Sequence, residues 1–182
     1  MIRQVLQEQG ELLRQHPQLY ISVNLAAADL VEARFPAEAQ AALQAAGVPP
    51  AQLVYEVTER GLVDPQRAVA VLEPLRQAGH RIAIDDFGTG YSSLSYLQQL
   101  PVDVLKIDKS FVDALGTEAA SSPVAPHIIA MARALGLKVI AEGVEQAEQA
   151  RLLAELGAQI GQGWLFAKPL SAEAFRAFVA AH

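Results

Sequence analysis

The sequence predicts an α/β fold with parallel strands, and three observations support this fold class. Short runs rich in β-branched residues alternate with longer runs rich in Ala, Leu, Gln and Glu, as strands and helices do in repeated βα units. Two of the short runs, Val102–Ile107 and Lys138–Ala141, lack polar alternation, which is typical of strands covered on both faces. A glycine also separates four of the helix candidates from the strand that follows.

Six strand candidates occur along the chain. In order, they are Ile21–Leu25, Leu53–Thr58, Arg81–Asp85, Val102–Ile107, Lys138–Glu142 and Ala158–Gly161. Enough residues separate each candidate from the next for the helical crossover that a parallel connection requires. Gly47, Gly79, Gly136 and Gly157 predict the helix ends, because glycine readily adopts the left-handed conformation found there. Six such units fit either a doubly wound sheet or an incomplete (β/α) barrel, since a complete barrel takes about 250 residues.

The composition favours one folded domain over residues 1–182, of which 52% are hydrophobic and 19% charged. The net charge of −6 and the lack of a basic run argue against binding to a nucleic-acid polymer, which needs Lys and Arg to neutralise phosphates. The chain has no cysteine, which excludes a disulfide, a thiolate zinc site and a thiol nucleophile. No apolar run reaches the roughly 18 residues of a membrane span, so we expect no membrane contact in this segment. Thr, Ser and Pro residues predict a loop at Gly116–Pro126.

Polar side chains stand at or just after the carboxyl end of every strand candidate. They are Asn24, Glu56, Glu59, Asp85, Asp86, Lys106, Asp108, Glu142 and Gln162. A single carboxylate at such a position is ordinarily a solvated strand end. Polar groups after successive apolar strands are costly unless they are used, and parallel α/β proteins place their sites at this edge. We therefore expect a functional site there.

Oxygen ligands predominate among these side chains, which favours a hard cation such as Mg²⁺ or Mn²⁺. The candidate metal ligands are Asn24, Glu56, Asp85, Asp86 and Glu142. A carboxylate that bridges two cations about 3.5–4 Å apart is the arrangement of two-metal phosphoester hydrolysis, in which Lys106 would orient or polarise the attacking water. The histidines stand in helix, turn or terminal positions, which argues against a zinc site and a histidine-based triad.

The segment Asp85–Leu94 contains two short motifs of other enzymes, and neither has its usual context. Asp86-Phe87-Gly88 matches the metal-binding tripeptide of protein kinases, but no upstream lysine strand or His-Arg-Asp loop accompanies it. Gly88-Thr89-Gly90 lacks the third glycine of a dinucleotide-binding loop. The glycines are better explained by a loop that bends sharply beside the carboxylates and moves when ligand binds.

Six short motifs follow one another along the chain. They are Ser22-Val23-Asn24-Leu25, Tyr55-Glu56-Val57-Thr58-Glu59, Asp85-Asp86-Phe87-Gly88-Thr89-Gly90-Tyr91-Ser92-Ser93-Leu94, Leu105-Lys106-Ile107-Asp108, Ala141-Glu142-Gly143-Val144-Glu145 and Gln162-Gly163. In order and spacing they resemble the EAL domain family, from about Ile21 to Pro169. The resemblance implies a TIM-like (β/α) barrel, incomplete in this chain, with one early strand antiparallel. It also implies hydrolysis of cyclic di-GMP to linear pGpG with Mg²⁺ or Mn²⁺, inhibited by Ca²⁺.

The resemblance implies metal-binding roles for individual residues. Asn24, Glu56 and Asp85 are the implied ligands of a first metal ion. Asp85, Asp86 and Glu142 are the implied ligands of a second ion, partly through water.

The remaining implied roles concern the attacking water and the surroundings of the metals. Lys106 is implied to position the nucleophilic water, and Glu142 to act as the base. Glu59 is implied to hold the Gly88–Tyr96 loop in its working shape. Three further residues are implied to contact the substrate or the residues that bind it: Asp108, Glu145 and Gln162. The resemblance further implies a homodimer within a larger, cytoplasmic or membrane-attached bacterial signalling protein that acts in second-messenger control of biofilm.

The family's name-giving Glu-Ala-Leu motif does not occur in this sequence. We therefore expect the chain to begin at the helix before the Asn24 strand, without the first strand and its glutamate ligand. Three hypotheses remain open at this point. The chain is a phosphodiesterase domain completed elsewhere in its protein, or a non-catalytic relative that binds cyclic di-GMP or a protein partner. Alternatively, it is an unrelated metal-dependent α/β hydrolase or a purely structural module.

The 182-residue chain on its own is expected to hydrolyse cyclic di-GMP weakly, because the implied first metal lacks one carboxylate ligand. Chromatographic separation of cyclic di-GMP and pGpG after incubation with Mg²⁺ measures this. Robust Mg²⁺-dependent turnover by the chain alone would contradict the expectation, whereas an upstream native segment should restore activity.

Overall fold

In the part of the chain that the structure describes, six strands form one parallel sheet in which each strand pairs with the next. The computed structural model describes residues 1–62, 64–88, 97–117 and 124–181. The strands are β1 (Ile21–Asn24), β2 (Leu53–Thr58), β3 (Arg81–Phe87), β4 (Val104–Ile107), β5 (Lys138–Ala141) and β6 (Ile160–Gly161). All six predicted strands are confirmed, although β4 and β6 begin two residues later than predicted and β3 ends two residues later.

The strand order decides between the two sheet types that the sequence leaves open. A doubly wound sheet reverses its order at a switch point, whereas the order here runs from β1 to β6 without reversal. The sheet therefore curls as an incomplete (β/α) barrel. All strand pairings among the described residues are parallel, so the antiparallel strand that the resemblance implies is not among them.

Helices precede and separate the strands. They are α1 (Ile2–Gln15), α2 (Phe35–Ala46), α3 (Pro65–Gln77), α4 (Lys109–Asp113), α5 (Val124–Ala134), α6 (Ala147–Leu156) and α7 (Ala172–Ala181). Short 3₁₀ turns occupy Asp29–Val31, Pro50–Gln52 and Glu59–Gly61. None of the helices within these described ranges is both long enough and apolar enough to cross a lipid bilayer.

Local sequence signals explain where several helices begin and end. The Asp64 carboxylate caps α3 by accepting hydrogen bonds from the backbone N–H groups of Gln66 and Arg67, at 3.1 and 3.2 Å. The four glycines predicted at helix ends all have positive φ, between 64° and 99°. The loop predicted at Gly116–Pro126 is partly wrong, because α5 begins at Val124. Pro126 lies in the first turn of α5, where a missing N–H removes no helical hydrogen bond.

Side chains of successive strand residues point to opposite faces of the sheet, and this alternation creates two apolar layers. The outer face packs against the helices in a continuous core whose fully buried members include Tyr55, Ile82 and Leu105. The inner face carries a smaller cluster, here called the apolar floor, made of Val54, Ala83, Val104 and Ile140.

The position two residues after each member of the apolar floor lies on the same inner face, closer to the carboxyl end of its strand. Those positions hold Glu56, Asp85, Lys106 and Glu142. The inner face is therefore apolar in its lower half and ionisable in its upper half, and the sheet places four charged groups above one apolar layer.

Leu105→Ala is expected to lower the free energy of unfolding by about 2–5 kcal/mol, because truncating a fully buried leucine removes apolar contacts and leaves a cavity. The Leu105 side chain is 0% exposed. Urea denaturation followed by circular dichroism measures the change. Val31→Ala is the control, since Val31 is 58% exposed. A loss for Leu105→Ala no larger than for Val31→Ala would contradict this account of the core.

Candidate functional site

Strand register brings polar side chains from neighbouring strands to one edge of the sheet. Asn24 of β1 pairs with Glu56 of β2, and Thr58 of β2 pairs with Asp85 of β3. Lys106 of β4 pairs with Ile140 of β5, two residues before Glu142. Because all these strands are parallel, their carboxyl ends meet at the same rim above the apolar floor.

Lys106 lies at the centre of this rim. Its Nζ is 2.9 Å from Glu56 Oε2, 2.9 Å from Asp85 Oδ1 and 2.7 Å from Glu142 Oε1. The Lys106 side chain is only 3% exposed. One buried ammonium group therefore binds three carboxylates that come from β2, from β3 and from the residue after β5. The sequence predicted that these residues share a site, and the structure brings them into direct contact.

A β-bulge explains how two adjacent aspartates serve one site. Ile84 pairs with Leu105 and Phe87 pairs with Ile107, so Asp85 and Asp86 together lie opposite a single residue of β4. Asp86 has a φ of +53°, a left-handed conformation that aspartate tolerates better than most residues. The prediction placed both aspartates at a turning strand end. In the structure, β3 continues to Phe87, and the bulge within the strand, rather than a turn at its end, brings both aspartates to the same edge.

The carboxylates of Asp85, Asp86 and Glu142 form a candidate metal-binding group. One oxygen from each lies within 4.8 Å of the others. Divalent cations such as Mg²⁺ and Mn²⁺ are bound through oxygen atoms, so the chemistry of this donor set fits the predicted metals. Glu56 is joined to the group through Lys106. Asn24 is exposed at the end of β1, next to Glu56 in the strand register.

The pKa values reflect crowding of negative charge around one cation. Burial by itself lowers the pKa of Lys106, but hydrogen bonds to Glu142, Glu56 and Asp85 outweigh burial and raise it overall. Burial also raises the pKa of Glu142, and the charges of Asp85 and Glu56 raise it further, although Lys106 opposes both effects. One ammonium cannot neutralise three carboxylates, so the site keeps a net negative charge that favours a divalent cation.

Glu59 is buried, at 7% exposure, just beyond the end of β2. Its Oε2 accepts a hydrogen bond from the backbone N–H of Gly88 at 3.0 Å. Gly88 has a φ of +97°, and a Cβ there would lie 2.8 Å from Phe111 Cε2, so glycine is needed at this position. Glu59 thus holds the first residue of the predicted Gly88–Tyr96 loop, and residues 89–96 lie outside the described parts of the chain.

Asp108, Glu145 and Gln162 have different surroundings at the same edge. Asp108 accepts hydrogen bonds from the backbone N–H and the hydroxyl of Ser110, and it caps α4. Glu145 Oε1 is 3.0 Å from Lys109 Nζ. The backbone N–H of Gln162 donates to Ala141 O at 2.8 Å, while its side chain is exposed.

A cavity of about 590 Å³ opens beside the carboxylates. Its lining residues are Lys109, Glu142, Gly143, Glu145, Gln162, Gly163, Trp164, Ala167, Lys168 and Pro169. Trp164 is 61% exposed, and Lys168 Nζ is 5.7 Å from the centre of its ring. Sequence reasoning missed Trp164 and Lys168, because no strand or charge pattern marks them. The sequence feature that could have identified this part of the cavity was the aromatic residue Trp164, two positions after Gln162.

The fold and this rim together define a barrel-type α/β protein with a candidate site for divalent cations. Residues 1–169 match the model of a family described as "EAL domain". The chain is 47% identical to the probable cyclic di-GMP phosphodiesterase PdeB of Escherichia coli K12, over all of this chain and 34% of PdeB. The chain belongs to the EAL domain family, as the six motifs predicted.

Two solved structures show the same fold. The PaMucR phosphodiesterase in complex with c-di-GMP superimposes with a TM-score of 0.89 at 36% identity, covering 96% of this chain and 71% of that one. The manganese and cyclic di-GMP complex of Klebsiella pneumoniae BlrP1 superimposes with a TM-score of 0.82 at 32% identity, covering 92% of this chain and 42% of that one. The match therefore confirms the predicted fold and extends over nearly the whole chain.

Lys106→Met is expected to lower the free energy of unfolding by about 3–5 kcal/mol in the absence of divalent cations, since it leaves the largely buried carboxylates of Glu56, Asp85 and Glu142 without their counter-ion. Added Mg²⁺ or Mn²⁺ should recover part of this loss, because a cation at the rim replaces the missing charge. Thermal and urea unfolding with and without Mn²⁺ measure both effects. Lys138→Met, at the exposed start of β5, is the matched control. Equal effects for the two substitutions would count against the buried cluster.

Proposed function

We propose that this chain is the catalytic part of a cyclic di-GMP phosphodiesterase that opens the ring to linear pGpG with Mg²⁺ or Mn²⁺. The observation that carries the proposal is the carboxylate group at the rim. Oxygens of Asp85, Asp86 and Glu142 lie within 4.8 Å of one another, and Lys106 joins Asp85 and Glu142 to Glu56. Such a group suits a pair of hard cations rather than a single structural ion.

The metal assignment follows the positions at the rim. Asn24, Glu56 and Asp85 would hold one ion, and Asp85, Asp86 and Glu142 would hold the other. Bound cations of this kind activate water and neutralise charge on a phosphodiester. Ca²⁺ is expected to occupy the site without supporting turnover, since it prefers longer and more variable coordination.

The chain's own residues supply proton transfer and orientation. Water attacks the phosphorus and the P–O3′ bond breaks, so the product carries a 5′-phosphate and the departing 3′ oxygen takes up a proton. Glu142 is the proposed acceptor of the water proton, since its carboxylate lies both at the metal-binding group and 2.7 Å from Lys106 Nζ, which is proposed to orient the water. Lys106, held between Glu142 and Asp85, would orient that water with its Nζ.

The cavity beside Glu142 is the proposed place for one nucleotide of the substrate. Its volume of about 590 Å³ lies in the usual range for small-ligand sites. The exposed Gln162 and Glu145 side chains and the Trp164 ring line it and offer hydrogen-bonding groups and an aromatic surface. Asp108 would support this region by fixing the start of α4, and Glu59 would support the loop that begins at Gly88.

The relatives support this function for the chain, but they do not define the other domains of the whole protein. PdeB is named a probable cyclic di-GMP phosphodiesterase, and MucR and BlrP1 were solved with that ligand, the latter with manganese. The chain spans only about a third of PdeB. We further propose that residues 1–182 form one EAL-type domain of a larger, dimeric signalling protein on the cytoplasmic side.

Asp85→Asn is expected to abolish metal-dependent binding of cyclic di-GMP, because Asp85 is proposed to bind both ions. Calorimetric titration with Ca²⁺ in place of Mn²⁺ measures binding without turnover, and chromatography of pGpG measures hydrolysis. Asp64→Asn is the matched control, because Asp64 lies outside the site and Asn caps a helix as well as Asp.

The outcomes of this experiment separate the hypotheses. Binding with hydrolysis supports the phosphodiesterase. Binding without any hydrolysis, even with the complete protein, would replace it with a non-catalytic cyclic di-GMP receptor. If cyclic di-GMP does not bind with either ion, or if Asp85→Asn binds it fully, the proposed site is wrong.

A further inference from the structure

The segment Glu142–Gln146 connects β5 to α6 and carries two residues of the rim, Glu142 and Glu145. It lies beyond the strand ladder, so other groups must hold its backbone. The N–H of Glu142 donates to Ile107 O at 3.1 Å, and the N–H of Val144 donates to Gln162 O at 3.0 Å. The N–H groups of Glu145 and Gln146 bind a side chain instead.

That side chain is Gln149, in the first turn of α6 and only 7% exposed. Its Oε1 accepts hydrogen bonds from Glu145 N at 2.9 Å and from Gln146 N at 3.0 Å. Two N–H donors can be satisfied only by the amide oxygen, so the orientation of the amide is determined. The Gln149 Nε2 group therefore points away from the segment, toward Asp113 Oδ1 at 3.3 Å.

Asp113 closes a ring of contacts back to the segment. Its Oδ1 also lies 3.0 Å from Lys109 Nζ, and Lys109 Nζ lies 3.0 Å from Glu145 Oε1. The Lys109 stem covers Gly143 so closely that a Cβ at Gly143 would overlap Lys109 Cγ. On the other side, a Cβ at Gly163 would overlap the backbone of Val144. The segment is thus held between α4 and the turn after β6.

We propose that Gln149 is a positioning residue that sets the conformation of Glu142–Gln146 and thereby places Glu142 at the metal group. The proposal rests on the proposed function, since it assigns Glu142 a role there. Removing the amide would leave two backbone N–H groups without their acceptor and release the link to Asp113 and Lys109. A carboxylate displaced by a fraction of an ångström binds metal less well, which is how groups behind metal ligands act on affinity.

Gln149→Met tests this, because methionine has a similar shape but neither accepts from Glu145 and Gln146 nor donates to Asp113. We expect faster amide hydrogen exchange across residues 143–147, and a Mn²⁺ dissociation constant raised about tenfold. In the complete protein, kcat for cyclic di-GMP should also fall about tenfold with a smaller change in KM.

Gln52→Met is the matched control. Gln52 is another buried glutamine that binds backbone groups, and its Nε2 contacts Leu13 O, His16 O and Leu19 O, away from the rim. It should lower the thermal midpoint without changing Mn²⁺ affinity.

Exchanging the hydrogen-bond donor and acceptor between positions 149 and 113 tests whether Mn²⁺ affinity can be restored. Gln149→Glu alone keeps the acceptor but places a carboxylate against Asp113, so it should weaken Mn²⁺ binding. Gln149→Glu combined with Asp113→Asn restores the net charge and reverses the donor, so Mn²⁺ affinity should return toward that of the unsubstituted protein.

Each result decides the proposal. Unchanged exchange in Gln149→Met, or faster exchange with unchanged Mn²⁺ affinity, would reduce Gln149 to an ordinary helix cap and overturn it. If the unsubstituted protein binds neither Mn²⁺ nor cyclic di-GMP, the proposed function fails. The distance from the Glu142 carboxylate to Lys106 Nζ, 2.7 Å in the unsubstituted protein, then decides the positioning role in a crystal structure of Gln149→Met: a lengthened distance supports it and an unchanged distance refutes it.

Discussion

One buried ammonium group, that of Lys106, holds together three carboxylates that arrive on different strands. Without a cation, Glu56, Asp85 and Glu142 would repel one another in a site with little water to screen them. The ammonium offsets the repulsion between the carboxylates in the folded protein. The negative charge that remains favours binding of divalent cations. Stability of the metal-free fold and affinity for metal are therefore both expected to depend on the Lys106 contacts.

The sheet makes this arrangement possible because its strands are parallel and ordered without reversal. Alternation along each strand sends one set of residues outward into the helical core and the other set inward. Inward residues change from apolar to ionisable over a distance of two residues, so the charged groups rest on an apolar floor and turn away from the main core. A one-residue slip of any strand would exchange its two faces and dismantle the rim.

Much of the site is nevertheless built outside regular strands. The bulge at Asp85 and Asp86, the Glu59 contact to Gly88 and the segment after β5 each place an acidic group where a straight strand would not. These features rely on local backbone shapes, a left-handed Asp86 and glycines in close contact with neighbouring elements. The regular sheet provides the frame, and irregular backbone at its edge orients the acidic side chains.

The sequence by itself determined the six strands, the glycines that end the helices and the group of oxygen-bearing side chains, because periodicity, turn chemistry and strand-end position are local properties. The strand pattern left the choice between a doubly wound sheet and a barrel open, since strand order is a matter of long-range pairing, and only the resemblance of the six motifs predicted the incomplete barrel. Only the tertiary structure decided that Asp85 and Asp86 share a bulge opposite Lys106, that Lys106 contacts three carboxylates, and that Gln149 binds Asp113 of α4. Those contacts join residues far apart in the chain, and their geometry depends on register and packing that no local pattern encodes.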